Sequence, residues 1–462
     1  MIEHLAVDQI LRQALSQGGD WADLFAERKA TTMIQLEAGK IEKISQGATL
    51  GAGVRLVQNF RSAYAFTNGL DGRTLTELAR TVSQAATGAG RQPDLKIDLT
   101  QPAAATATPI RVPPDGVALR DKVKVLEAAD RAARAVDRRI RQVRVVYADQ
   151  ARETAVARSD GFFGTDRVIQ TVFYVLAVAG EGDAVETGYE SHGGTVGFEI
   201  FSTRSAEDVA RAAAARAVRV LSAAKAKGGP MTVVLHSEAG GTMIHEAIGH
   251  GLEADLALEG LSVYTGKVGE VVASPLISVV DDATVPGRRG SFGMDDEGEP
   301  AQRTVLVEKG VLRGYLSGRI YALKAGLPST GNGRRESYRH LPVVRMTNTM
   351  ILPGASDPAE VIRSVDRGLL VKRMGGGQVN TVNGDFVFEV EEGFRLEHGQ
   401  VGEPVRGATL TGNGPEVLKT IDLVGSDLGF GLGTCGKDGQ GVPIADAQPT
   451  LRIPEIIVGG EV

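Results

Sequence analysis

Glycine is abundant and unevenly distributed in this chain of 462 residues, which contains 59 glycines. Of the last 92 residues, 371–462, 19 are glycine, and the segments between them are short and β-prone. Frequent glycines allow tight turns but weaken the interior of a helix. The sequence therefore predicts a tightly turned, largely β unit at the C-terminal end.

The first half of the chain shows helical and strand periodicities in succession. Helical periodicity marks the segments 3–17, 71–90 and 117–137. Residues 39–68 and 142–201 alternate polar and apolar side chains, which is typical of antiparallel strands. A further helix follows Ser205, which is positioned to cap it. This half is predicted to be an α+β unit of helices packed on an antiparallel sheet.

The length of the chain predicts two domains, because one domain typically holds about 100–200 residues. The polar run KAKGGP, which contains two glycines and a proline, is the best junction. We therefore expect an N-terminal α+β domain, 1–225, and a C-terminal domain, 226–462, that is largely β and carries one functional helix. Residues 91–115, rich in Pro, Ala and Thr, predict an extended connector.

Composition and charge exclude several classes of protein. The formal net charge is −6, which disfavours binding to nucleic acid or to an anionic membrane surface. The N-terminus lacks the basic and long apolar regions of a secretory signal, and no apolar run reaches the roughly 18 residues that span a bilayer. A single cysteine fits a reducing compartment. We expect a cytoplasmic protein with no membrane and no nucleic-acid partner.

The run HEAIGH places a glutamate, Glu246, beside two histidines. A catalytic zinc site usually takes three ligands from His, Cys, Asp or Glu. In the HExxH arrangement the histidines are four residues apart on one helix face, and the glutamate activates the water on the metal. Here His245 and His250 are five residues apart, which in an ideal helix aims them roughly 140° apart. The helix must break or bulge, and Gly249 and Gly251 allow it.

Two other interpretations of this segment stay open. A His-Glu pair with another histidine nearby arises by chance in many helices. Alternatively, Glu246 and His250, which are four residues apart, form a ligand set with Glu253, a further turn along the same face. That set leaves His245 without a role.

The only cysteine, Cys435, lies in the run GFGLGTCGKDGQGVP. A free cysteine is usually a small core residue. The surrounding glycines instead predict a loop in which backbone and side chains approach a ligand closely. A Cys435 thiolate would complete a set of two histidines and one cysteine around zinc, with a fourth position open to water or substrate.

The chain resembles the TldD/PmbA family, and within it the TldD side, along nearly its whole length. The resemblance is carried by long ordered runs: GATLGAGVRLVQNFRSAYAFTN, HEAIGHGLEAD, DDEGEPAQRTVLVEKGVLRGYL, TGNGRRESYRHLPVVRMTNT and CGKDGQGVP. It is weaker between residues 90 and 225. These runs are far more specific than two spaced histidines.

The resemblance implies a two-domain cytoplasmic metallopeptidase that works as a dimer of related subunits. In such dimers the PmbA-type partner usually lacks the metal ligands. Carried over by motif, His245, His250 and Cys435 become zinc ligands and Glu246 becomes the catalytic base. All four residues are present, so the chain matches the catalytic subunit.

Two further groups of residues are candidates for substrate binding. Asp295 and Asp296 belong to an acidic cluster that forms either a solvated turn or part of the cleft. In the cleft they would bind the amino terminus of a peptide or orient a zinc ligand. Arg335 and Tyr338 would bind a peptide carboxylate or carbonyl, or stabilise the oxyanion, whereas plain structural ion pairs explain them equally well.

These observations predict a zinc-dependent peptidase that hydrolyses unfolded or short polypeptides. Glu246 takes a proton from water and passes it to the leaving amine, while zinc polarises the scissile carbonyl. A zinc amidase or deacylase acting on small molecules is one rival hypothesis. A non-catalytic, PmbA-like binding subunit is another, and the intact ligands and base argue against it. The assembly is expected to be a homodimer or a heterodimer with a PmbA-type subunit.

Overall fold

A computed structural model describes residues 1–2, 5–86 and 108–461 of this chain. The predicted α+β class is confirmed, because helices and antiparallel strands both make up large parts of the described chain. Residues 91–107 of the predicted connector 91–115 lie outside the described residues. The remaining residues of the connector lead into a short 3₁₀ turn at Pro114–Gly116. No helix among the described residues combines the length and apolar character that crossing a membrane requires.

The first half of the described chain contains an antiparallel sheet of six strands in the order β3-β2-β1-β4-β5-β6. The strands are β1 Trp21–Glu37, β2 Lys40–Gln58, β3 Arg61–Thr67, β4 Ile140–Arg158, β5 Phe163–Glu181 and β6 Ala184–Gly194. Four of them are 17 to 19 residues long. This sheet confirms the antiparallel pairing predicted from alternation.

Four helices pack on this sheet. They are α1 Val7–Ala14, α2 Gly72–Ser83, α3 Leu119–Arg134 and α4 Ala206–Leu221. Helices α1 and α2 share one apolar core with β1 and β2, and α3 and α4 share a second core with β4 and β5. The predicted cap of α4 is confirmed, because the Ser205 hydroxyl accepts a hydrogen bond from the Asp208 amide at 3.1 Å. Apolar faces at helical spacing thus cover the two ends of the sheet.

The second half of the described chain is dominated by short strands. They are β7 Ala224–Lys225, β8 Gly229–Leu235, β9 Val279–Asp282, β10 Arg303–Glu308, β11 Val311–Leu312, β12 Gly333–Arg334, β13 Val343–Val344, β14 Asn348–Ile351, β15 Arg367–Val379, β16 Asp385–Glu397, β17 Gln400–Arg406, β18 Thr409–Asn413, β19 Leu423–Val424, β20 Gly429–Lys437, β21 Gln440–Gln448 and β22 Leu451–Gly459. The helices are α5 Thr242–Ile244, α6 Ala254–Ala257, α7 Arg319–Ala325, α8 Pro358–Arg363 and α9 Gly414–Thr420.

Most of these strands belong to two sheets, and β12 and β13 form a separate pair. One has the order β11-β10-β9-β14-β21-β20, so β20 is an edge strand. In the other, the strands β15, β8, β22, β18 and β16 pair successively and β16 pairs again with β15, which closes a ring. A large apolar core joins this ring to the segment around α5. The largely β character predicted after residue 371 matches this arrangement.

The predicted division of the chain at residues 225 and 226 stays a prediction. The sheet of the first half uses strands up to Gly194, and the other sheets begin with β7, Ala224–Lys225. Strand β7 pairs with β17 and therefore belongs with the second half of the described chain.

Candidate metal centre

The helix that carries the two histidines contains a π turn. Helix α5 continues into a π-helical segment, His245–Gly249, and then a 3₁₀ segment, His250–Leu252. The His250 amide donates to the His245 carbonyl, which is the i to i+5 bond of a π-helix. This wider turn brings the two rings to a centroid separation of 4.9 Å at an interplanar angle of 89°. The bulge that a spacing of five residues requires is therefore present.

Gly249 is needed here for space and not for unusual backbone angles. Its φ of −55° and ψ of −57° are ordinary helical values. A Cβ atom at this position would lie 2.2 Å from the Met346 sulfur. The glycine thus lets the π turn pack against the segment that contains Met346.

Cys435 completes the group from a distant part of the chain. Its Sγ lies 3.4 Å from His250 Nε2, and one potential donor atom from each of His245, His250 and Cys435 lies within 4.8 Å of the others. The predicted loop around Cys435 is wrong, because the residue lies in β20 and pairs with Val442 of β21. Two of the strand's glycines allow close approach, because a Cβ at Gly429 would lie 2.0 Å from the Ser237 carbonyl and one at Gly431 would lie 2.3 Å from Asp446 Oδ1.

Glu253 holds His250 from the side opposite Cys435. Its Oε2 lies 3.0 Å from His250 Nδ1, and the side chain is fully buried. Lys437 Nζ donates to Glu253 at 2.9 Å and to Asp255 at 2.7 Å. A carboxylate on Nδ1 fixes the ring and leaves Nε2 free for a ligand. Within the described residues, the alternative set of Glu246, His250 and Glu253 is not assembled as a metal-binding group.

Lys437 was missed by the sequence interpretation, although a signal for it was present. It follows Cys435 by two residues on β20, so the two side chains point to the same face of the strand. The same strand therefore supplies both a candidate ligand and the cation that holds the carboxylate behind His250.

The protonation equilibria of the three donors favour a thiolate. Burial by itself raises the pKa of Cys435, but hydrogen bonds from His245 and His250 outweigh it and lower the pKa to about 5. Burial lowers the pKa of both histidines, and contacts with Cys435 and, for His250, Glu253 raise each above its ordinary value. His245 Nδ1 is buried and has no hydrogen-bond partner among the described residues. A thiolate beside an unpartnered imidazole nitrogen fits a metal ion.

Glu246 lines the same cavity as the three donors. The cavity has a volume of about 360 Å³ and is bordered by β6, β20 and β21. Burial raises the pKa of Glu246 above its ordinary value, and burial does the same to Asp446. Asp446 Oδ1 accepts the Gly241 amide at 3.0 Å, at the start of the helical segment. The site therefore combines a candidate metal group with the Glu246 carboxyl in one cavity.

Asp295, Asp296, Arg335 and Tyr338 form a buried polar network. Asp295 and Asp296 are 2% and 5% exposed, which excludes the solvated turn. Asp296 accepts the Arg335 amide at 2.7 Å and pairs with Arg152 of β4 at 2.9 Å. The Arg335 guanidinium donates to the Asp296 carbonyl, and Tyr338 is 3% exposed. These contacts tie the second half of the chain to the first sheet.

The network lies outside the cavity that contains Glu246. Asp295, Asp296 and Arg335 line a second cavity of about 150 Å³, whereas Tyr338 lines neither. Thr434, the residue before Cys435, lines both cavities. The structure thus assembles His245, Glu246, His250 and Cys435 and places the other four predicted residues apart from them.

The fold and the site define a protein with a candidate mononuclear metal centre. The centre lies in a cavity lined by strands from both halves of the described chain. Sequence models of three PmbA/TldA metallopeptidase domains match the chain: domain 1 over residues 22–89, the central domain over 112–221 and the C-terminal domain over 228–460. The chain belongs to the PmbA/TldD metallopeptidase family.

Relatives agree with this assignment, and solved structures share the fold. A metalloprotease TldD homolog of Haemophilus influenzae is 38% identical over 96% of this chain and 93% of its own length. A metalloprotease of Methanothermobacter thermautotrophicus is 37% identical over 96% of each chain. The TldE structure from Thermococcus kodakarensis has a TM-score of 0.79 at 19% identity, covering 98% of this chain and 100% of that one. A putative modulator of DNA gyrase from Thermotoga maritima has a TM-score of 0.80 at 20% identity, covering 95% and 96%. The two structures show the shared fold.

Proposed function

We propose that this chain is a zinc-dependent peptidase in which His245, His250 and Cys435 bind the metal and Glu246 serves as the general base. The observation that carries the proposal is the assembly of these three donors beside Glu246 in one cavity. The family, whose relatives carry the name metalloprotease, supports the same reaction class.

The distance between the donor atoms of Cys435 and His250 is compatible with zinc. Zinc–sulfur and zinc–nitrogen bonds of about 2.3 and 2.1 Å at a tetrahedral angle put the two donor atoms about 3.6 Å apart. Cys435 Sγ and His250 Nε2 are 3.4 Å apart. Imidazole and thiolate are a donor set that zinc accepts readily. Three protein ligands leave a fourth position, as in catalytic zinc sites.

Each side chain has a distinct task in the proposed reaction. Zinc, when bound, supplies a Lewis acid that polarises the scissile carbonyl and makes water more acidic. Glu246 accepts the proton of the attacking water and delivers it to the leaving amine. Because burial raises its pKa, the protonated form of Glu246 is easier to reach at neutral pH. Glu253 keeps the Nδ1 proton of His250 in place, so that Nε2 faces the metal.

The size of the cavity supports one substrate class. A volume of about 360 Å³ admits a short extended segment and excludes a folded domain. We therefore propose unfolded or short polypeptides as substrates, and a cytoplasmic location, which the single cysteine supports. The likeness to TldE supports assembly with a second subunit, either a copy of this chain or a PmbA-type chain. A monodisperse monomer that digests folded and unfolded protein equally fast would contradict this.

The central experiment compares the zinc-loaded protein with its Glu246→Gln variant. Each is incubated with an unfolded polypeptide and with a small acyl-amide, with and without chelator, alone and with a PmbA-type subunit. Loss of the proton acceptor should lower peptide hydrolysis by about 10²–10⁴-fold while zinc content stays at one equivalent. The half-exposed Glu238, 51% exposed, provides the control Glu238→Gln, which should keep full activity.

The outcomes separate the rival functions. Cleavage of the acyl-amide alone would indicate an amidase or deacylase, and chelator-insensitive binding without cleavage would indicate a binding subunit. Near-native turnover by Glu246→Gln would assign the base to another group. Loss of zinc from that variant would make Glu246 a ligand.

A further inference from the structure

The cavity of about 150 Å³ behind Thr434 is rich in basic side chains. Five of its lining residues are Lys or Arg and four are Asp or Glu. We call this cavity the basic cavity. Three of its basic residues are Lys29, Arg289 and Arg334. None of them has a carboxylate within ion-pairing distance among the residues that the structure describes.

The four acidic side chains of the basic cavity are already engaged. Asp166, Asp295 and Glu336 accept hydrogen bonds from backbone amides. Asp296 pairs with Arg152 at 2.9 Å. Burial also raises the pKa of Asp166 and that of Asp295. Nearby carboxylates raise the pKa values of Lys29 and Arg334, but none of the four acidic side chains forms an ion pair with the three cations.

The cations make contacts only with neutral groups. Arg289 Nε donates to the Gly433 carbonyl at 3.0 Å, and its Nη2 donates to the Thr434 hydroxyl at 3.2 Å. Arg334 donates to two backbone carbonyls at 2.6 Å. No hydrogen bond of the Lys29 ammonium is present among the described residues. These guanidinium and ammonium groups retain donors for a further partner.

Burial has a cost for these cations. It lowers the pKa of Lys29 despite the opposing charge of Glu27, and it lowers the pKa of Arg289. Burial also lowers the pKa of Arg334 to about 10. For these cations the loss of water outweighs the nearby opposite charges, and an anion in the cavity relieves this cost.

The basic cavity adjoins the candidate metal centre through one residue. Thr434 lines both cavities, contacts Arg289 and immediately precedes Cys435 on β20. The two cavities therefore meet at Thr434 on the edge strand β20. The carboxylates that peptides carry, at the C-terminus and on Asp and Glu side chains, are the anions that a planar guanidinium binds well.

We infer that the basic cavity binds a carboxylate of the substrate, with Arg289 as its direct partner and with Lys29 and Arg334 supplying the surrounding positive charge. This inference rests on the proposed peptidase function, because it places the carboxylate on the same chain that occupies the metal centre. The cavity then gives the enzyme a preference for substrates with a negative group at a fixed distance from the scissile bond.

The test measures peptide binding without turnover, using the zinc-loaded protein in the Glu246→Gln background. Gly-Ala-Ala-Ala-Ala with a neutral N-terminal dansyl label is titrated as the free acid, as the C-terminal amide, and as the amide with one internal alanine replaced by Glu or Gln. The free acid, or the amide containing Glu, should bind about tenfold more tightly than its neutral counterpart, as expected for one charge-assisted contact at a half-buried site. The arm that shows the difference identifies the source of the carboxylate.

Arg289→Gln and its neighbour Arg288→Gln form a matched pair of variants. Arg288 is exposed, lies 3.7 Å over the Phe430 ring and does not line the basic cavity. Arg289→Gln should bring the ratio of acid to neutral affinities to about one, and Arg288→Gln should leave it unchanged. Zinc content is measured for both variants, because Arg289 also holds the strand that carries Cys435.

Three results would overturn the inference. They are equal binding of acidic and neutral peptides, an equal effect of the two arginine variants, and a loss of zinc that weakens all peptides alike. Failure of the proposed function is seen separately, as absence of peptide hydrolysis by the zinc-loaded protein with Glu246 intact. The affinity ratio does not depend on hydrolysis, so the two failures are distinguishable.

Discussion

Glu253→Gln is expected to weaken zinc binding without removing any zinc ligand. The substitution keeps the size of the side chain and an oxygen acceptor for His250 Nδ1, but removes the negative charge. Glu253 is fully buried, and its contact with His250 is 3.0 Å long. Loss of such an outer-shell partner typically lowers metal affinity about 10–100-fold, or about 1.4–2.7 kcal/mol. Lys437 keeps Asp255 at 2.7 Å, which limits the loss of folding stability.

The assay is a zinc competition titration against a chromophoric chelator, together with thermal unfolding of the metal-free protein. The chain offers a control in Asp366, whose Oδ1 lies 2.8 Å from His398 Nδ1 while the two side chains are 83% and 88% exposed. The contact has the same chemistry but lies in water, so Asp366→Asn should leave zinc affinity and stability unchanged.

Two results would contradict this role of Glu253. If Glu253→Gln binds zinc as tightly as the parent, the carboxylate does not orient His250. If Glu253→Gln and Asp366→Asn weaken zinc binding equally, the effect is a general loss of charge and not the buried contact.

Three further predictions concern Cys435 and the buried network. Cys435→Ala should fold but hold well below one equivalent of zinc by metal analysis, and unchanged zinc content would remove Cys435 from the ligand set. In the metal-free protein, iodoacetamide should alkylate Cys435 at a rate that rises with pH, with a midpoint near pH 5. The reason is that the pKa of Cys435 is about 5 and the thiolate is the reactive form. A midpoint near ~8.5, the pKa of an ordinary thiol, would refute this prediction. Asp296→Asn should lower the free energy of unfolding in urea by about 1–3 kcal/mol, because a charged hydrogen bond to Arg152 is lost. Zinc content should stay the same. An unchanged free energy of unfolding would show that this ion pair does not stabilise the fold.

Local features of this protein could be predicted from its sequence. Helical and strand periodicities predicted the antiparallel sheet and its helices, and the Ser205 cap is local chemistry that any helix start requires. The spacing of five residues between His245 and His250 demanded a bulge, and the π turn provides it. The ordered runs around these histidines and around Cys435 also sufficed to identify the family.

Contacts between residues far apart in the chain could not be predicted from the sequence and are seen in the folded structure. Cys435 reaches His250 across 185 positions of the chain, and Asp296 meets an arginine of the first sheet. The sequence of an acidic turn is the same whether the turn is exposed to water or buried in a network of ion pairs. The residues around Asp295 and Asp296 therefore gave no indication that these two side chains are buried. Local signals arise from interactions a few residues apart, whereas these contacts depend on how two halves of the chain pack together.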